Sequence, residues 1–123
     1  MQIQISTDHN IECHEALDSR VRGVVETALR RNSDHITRVE IHMSDESSNK
    51  KGGIDVMRCV MEARLERHQP IAVTHRAETL DHAVHGAVVK LTRLIEHTIG
   101  RKRSHKAHEA VAPLETPEEK EDS

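Results

Sequence analysis

A chain of 123 residues without one Phe, Tyr or Trp must build its interior from Ile, Val, Leu, Met and Ala. Aliphatic side chains bury less surface apiece than aromatic rings, so such a core is thin and needs regular elements that each present one unbroken apolar face. The same absence removes aromatic base-stacking platforms, aromatic cages and flavin- or indole-lined pockets from what the chain offers by itself. Single cores commonly serve roughly 50 to 200 residues, so one domain with a tail is expected.

The apolar faces can be read in order. Gln2 to Thr7 alternates, with Ile3 and Ile5 on one side, and predicts a short strand ended by the turn-prone Asp8, His9 and Asn10. From about His14 to Arg31 the residues Leu17, Val21, Val24, Val25 and Ala28 recur at three- and four-residue intervals and predict a helix. Its N-cap is expected at Cys13, its interior is interrupted by Gly23, and Asn32, Ser33 and Asp34 stop it. Ile36 to Ser44 alternates strictly, with Val39, Ile41 and Met43 facing one way. A polar loop to Gly53 follows, where Gly52 and Gly53 turn a hairpin. The next strand, from about Ile54 to Leu65, carries Met57, Cys59, Met61, Ala63 and Leu65 on its apolar side and Arg58, Glu62 and Arg64 on the other. After a turn at Glu66 to Gln69, Ile71, Val73 and His75 mark a fourth strand. Thr79 caps a second helix that runs to Gly100, with the stripe Leu80, Val84, Ala87, Val88, Leu91, Ile95 and Thr98. The order is β-α-β-β-β-α, an α+β fold in which two helices cover one face of a four-stranded sheet and water wets the other. This domain is expected over residues 1–103. Residues 104–123, with Pro113, Pro117 and five Glu, read as a disordered acidic tail.

The formal net charge of −3 hides a division. Residues 1–106 hold 17 Lys and Arg against 15 Asp and Glu, while residues 107–123 hold 1 against 6. The body is mildly basic. On the second helix, with Leu80 at zero and roughly 100° per residue, Lys90, Arg93, His97 and Arg101 fall within roughly 220° to 300°, with Gly86 among them. Lys102 and Arg103 extend the basic end, and the acidic Asp81 and Glu96 lie toward roughly 100° to 160°. The first helix repeats the design with Arg20, Gly23, Thr27, Arg30 and Arg31. Each helix is therefore expected to carry a basic strip with a glycine gap, through which a phosphodiester backbone approaches closely. RNA is favoured over DNA, because no helix-turn-helix or zinc finger is visible and the layout suits reading backbone shape.

Several segments together resemble the ribosome hibernation factors, the family of hibernation promoting factor and protein Y, over about residues 1–103. They are the opening MQIQIST, HEALDSRV, DHITRVEIHMSD and above all ETLDHAVHGAVVKLTRLI, in which Gly86, Lys90 and Arg93 stand where the family has a glycine followed by a Lys and an Arg three apart. KKGGIDVMRCVMEARL looks like that of a subgroup of short members, and the acidic tail looks like that of protein Y. The resemblance implies a stationary-phase or stress factor that docks between head and body of the small ribosomal subunit. It would occupy the decoding region, contact ribosomal RNA through basic residues of both helices, and suppress translation without chemistry. It also implies that the chain ends before the dimerising domain of long members. The chain departs from the family in lacking core aromatics and in having Val24 and Thr27 near places where relatives carry lysines.

Other chemistries find little support. Cys13 and Cys59 form neither a disulfide framework nor a zinc knuckle. His82 with His85, and His105 with His108, have ligand spacing but no completing residues, so no metal and no cofactor is expected. Cys59 lies in an inward apolar row where a thiol is inert, and no Gly-rich phosphate loop or nucleophile elbow is present, so no enzyme activity is expected. No segment approaches a membrane span, and the polar start lacks the features of a signal peptide, which predicts a cytoplasmic chain; separately, the chain is expected to be monomeric when free. The alternative is a protein-binding adaptor that uses the open sheet face or the acidic tail.

Overall fold

The computed structural model describes residues 1–47 and 55–110, with side chains to residue 100. The hairpin glycines Gly52 and Gly53 and residues 111–123 lie outside it. The elements are β1 (Gln2–Thr7), α1 (Glu15–Leu29), a 3-10 helix (Arg30–His35), β2 (Ile36–Asp45), β3 (Met57–Leu65), β4 (Ile71–Ala77) and α2 (Leu80–Ala110). The sheet order is β1-β2-β3-β4, with β1 parallel to β2 and the other neighbours antiparallel. This is the expected β-α-β-β-β-α architecture. The one parallel pair is the one that needs a crossover, and α1 supplies it.

Both helices lie on the same side of the sheet. Leu17, Val21, Val25 and Leu29 of α1 share a single buried cluster with Ala83, Val84, Ala87, Val88, Leu91 and Ile95 of α2. Val39, Ile41 and Met43 of β2 and Cys59, Met61 and Ala63 of β3 supply the floor, all nearly without exposure. The thin aliphatic core thus closes because every element contributes an uninterrupted row. Arg38, Glu40, Glu62 and Arg64 occupy the opposite face, as the alternation requires.

Four boundaries differ from expectation, the first being β3, which begins at Met57 and not at about Ile54. The N-cap of α1 is His14, not Cys13: its Nδ1 accepts the Leu17 N–H at 3.1 Å, so an imidazole nitrogen does what a Ser or Asp oxygen usually does. α1 stops at Leu29, and the chain tightens into the 3-10 helix, which buries Asn32. α2 does not stop at Gly100. That glycine has no left-handed backbone conformation, and the helix continues to Ala110, into the stretch assigned to the tail. Residues 101–103 are good helix formers and carry the turn onward. Ile99 is buried and joins the core, an addition to the expected stripe.

Each outer strand is fastened by a cation from a helix. Arg22 Nη1 donates to the Ile3 carbonyl of β1 at 2.9 Å, and Lys90 Nζ donates to the Thr74 carbonyl of β4 at 2.9 Å. Edge carbonyls are otherwise free to recruit another strand. No helix among the described residues is long and apolar enough to cross a membrane.

Candidate nucleic-acid interface

Two arginines, Arg20 of α1 and Arg31 of the 3-10 helix that follows it, face carboxylates of α2. Arg20 Nε lies 3.2 Å from Asp81 Oδ1, and Arg31 Nη1 lies 3.8 Å from Glu96 Oε2. The acidic sector of α2 thus lies, still solvent-exposed, along the side that borders α1. Exposed pairs of this kind contribute only about 0–1 kcal/mol each, yet they cancel the local potential of the α1 strip. Arg30 stands at the start of the 3-10 helix and, among the described residues, has no carboxylate partner.

The strip on α2 is different. Lys90, Arg93 and His97 are exposed, and none of them pairs with a carboxylate among the described residues. They fan out. Lys90 leans over β4 to reach the Thr74 carbonyl, whereas Arg93 borders the seam between the two helices. Arg101, Lys102 and Arg103 belong to the same helix, beyond the last described side chain.

The two glycine gaps also part company. Gly23 opens on empty space, with nothing within 4 Å of where a Cβ would stand. At Gly86 a Cβ would lie 2.1 Å from Cδ2 of His75. The space expected to admit a phosphodiester backbone is occupied by the imidazole of β4, so Gly86 is a packing glycine that lets α2 settle on the sheet. Sequence reading had both partners but not their meeting: His75 shares the inward face with Ile71 and Val73, and a polar ring aimed at a core calls for a small residue opposite.

Between α1 and α2, on the side away from the sheet, runs a trough of about 910 Å³. Gly23, Val24, Ala28, Val88 and Val89 line it, and Val89 remains 39% exposed. Sequence reading missed this feature, although the near-vertical run of small residues on α1 (Gly23, Thr27) was its signal.

The charges of the open sheet face are matched locally. Arg38 pairs with Glu40 at 3.0 Å, Arg64 with Glu62 at 3.9 Å, and Arg58 and Arg76 share Glu46 at 3.7 and 2.9 Å. That face offers no concentrated field of either sign. Among the described residues no group of three His, Cys, Asp or Glu is placed to hold a metal ion. Burial pushes the Cys59 thiol up to about 12, so it stays protonated at neutral pH and is no nucleophile.

A family model described as "Sigma 54 modulation protein / S30EA ribosomal protein" matches residues 3–103, and the chain belongs to that family. Among solved structures, the fold is similar to the Thermus thermophilus Protein Y N-terminal domain, with a TM-score of 0.64 and 18% identity over 80% of this chain and 99% of that one. It is also similar to a ribosomal subunit interface protein from Coxiella burnetii, with a TM-score of 0.60 and 18% identity over 81% of this chain and 99% of that one. At such identity these likenesses bear on the fold. No curated protein sequence matches the chain.

Proposed function

We propose that this member of the Sigma 54 modulation protein / S30EA ribosomal protein family is a non-catalytic hibernation factor. On this reading it binds the small ribosomal subunit near the decoding centre through ribosomal RNA, as a monomer in the cytoplasm, and suppresses translation in stationary phase or stress. The observation that carries the reading is the contrast in pairing: among the described residues α2 keeps Lys90, Arg93 and His97 free of carboxylates, while the other basic residues of the helical layer and the sheet face are largely neutralised by neighbours. An uncancelled cationic strip on a rigid helix suits a folded polyanion. The family match and the printed description of the Coxiella burnetii relative as a ribosomal subunit interface protein point to the ribosome as that polyanion.

Within this reading α2 leads, with Arg101, Lys102 and Arg103 adding positive charge farther along the same helix, and Arg30, at the start of the 3-10 helix, is the available cation next to α1. Arg20 and Arg31 must first give up Asp81 and Glu96. Gly86 acts indirectly, by seating α2 on His75. Co-sedimentation with purified small subunits tests the proposal: Lys90→Glu with Arg93→Glu should weaken binding by about 100-fold and flatten its salt dependence by about two phosphate contacts. Wild-type pelleting by that double variant, with the fold intact by circular dichroism, would overturn it.

A further inference from the structure

The trough between the helices is not needed by a surface that only grips phosphates. Two ion pairs bridge it, Arg20–Asp81 near the start of α2 and Arg31–Glu96 farther along. The fifteen steps from Asp81 to Glu96 span about 22 Å at 1.5 Å each, so the bridges tie α1 and the 3-10 helix after it to α2 on either side of an open middle. In that middle the floor is aliphatic. Val88 is buried beneath it, Val89 is left part-exposed, and Gly23 contributes no side chain at all. Thr92 ties its hydroxyl back to the Val88 carbonyl at 2.7 Å and also borders the trough. Arg93, without a carboxylate partner among the described residues, stands on the rim with His85.

The geometry points to a seat for one unstacked nucleobase of the bound RNA, an inference that rests on the RNA-binding reading above and adds to it. The pairing of an apolar floor with a free cation at its lip fits a nucleotide, whose base is flat and poorly hydrated on its faces and whose phosphate is anionic. In a chain with no aromatic residue, aliphatic walls and the planar groups of Arg93 and His85 are what remains to cover the faces of a base. Charge complementarity favours RNA over an apolar peptide as the occupant, since Arg93 on the rim has no carboxylate partner among the described residues.

Filling the trough separates base seating from phosphate binding. Gly23→Leu adds a side chain where nothing lies within 4 Å, so the fold should tolerate it. It should weaken small-subunit binding about 10-fold while leaving the salt slope unchanged. Val89→Ser, which strips the floor without filling it, should act in the same direction. Arg93→Glu should instead reduce the slope by about one phosphate contact. A benzophenone side chain installed at Val89 should cross-link to ribosomal RNA at one nucleotide. If Gly23→Leu and Val89→Ser bind like wild type while Arg93→Glu is impaired, the seat is wrong and the RNA-binding reading survives. If all three bind like wild type, that reading falls as well. Cross-linking to a ribosomal protein in place of RNA would overturn the nucleobase as occupant.

Discussion

Both helices were built with arginines beside an apolar stripe and a glycine within the basic sector, yet the fold treats them differently. On α1 and the 3-10 helix that extends it, Arg20 and Arg31 spend their charge on Asp81 and Glu96, and Gly23 faces open space. On α2, Lys90 and Arg93 keep theirs, and Gly86 is filled by His75. Helical spacing decides which residues share a face. Only the neighbouring element decides whether that face is charged, neutral, hollow or packed.

Matched reversals test that contrast most directly. Arg20→Glu with Arg31→Glu should weaken small-subunit binding by about 10-fold or less, against about 100-fold for the corresponding pair on α2. Equal losses from the two pairs in the same sedimentation assay would erase the distinction. The glycines come next, since one substitution should have opposite signs at the two sites. Gly86→Ala should destabilise by about 1–3 kcal/mol because the methyl group overlaps the His75 ring, and most of the loss should disappear in a His75→Ala background. Chemical denaturation of the four variants in that cycle measures the coupling, and additive losses would show that the ring is not the obstacle. Gly23→Ala should stabilise by about 1 kcal/mol, the helix-propensity difference with no clash to oppose it. The smallest difference lies at the helix starts. Thr79 Oγ1 caps α2 by accepting the His82 N–H at 3.1 Å, whereas α1 relies on His14. His14→Ser should raise the thermal midpoint slightly, by about 0.5 kcal/mol in stability, whereas Thr79→Ala should lower it by about 1 kcal/mol.

Much of the architecture was legible because the signals are local. The alternation of Val39, Ile41 and Met43 against Arg38, Glu40 and His42 fixes both faces of β2, and the 3.6-residue stripe through Leu80, Val84, Leu91 and Ile95 fixes the buried side of α2. Boundaries were harder where local signals compete. Asn32, Ser33 and Asp34 were correctly disruptive, but the chain answered with a 3-10 helix that buries Asn32, and Gly100 lacked the left-handed conformation that makes a glycine a stop. The site was half visible. The exposure of Lys90, Arg93 and His97 followed from angle alone, but the neutralisation of Arg20 and Arg31 depends on the relative placement of two helices separated in sequence by three strands. The role of Gly86 depends in the same way on β4 lying beneath α2. No periodicity within one element carries either fact.

The bond from Lys90 to the rim of the sheet bears on how readily a ligand is gripped. A free lysine forfeits as much as about 2 kcal/mol of rotamer entropy when it is immobilised. Here the ammonium is already held at one strand carbonyl with two of its three protons unspent. An arriving anion meets a donor whose freedom was surrendered during folding, so more of the new contact is kept as affinity.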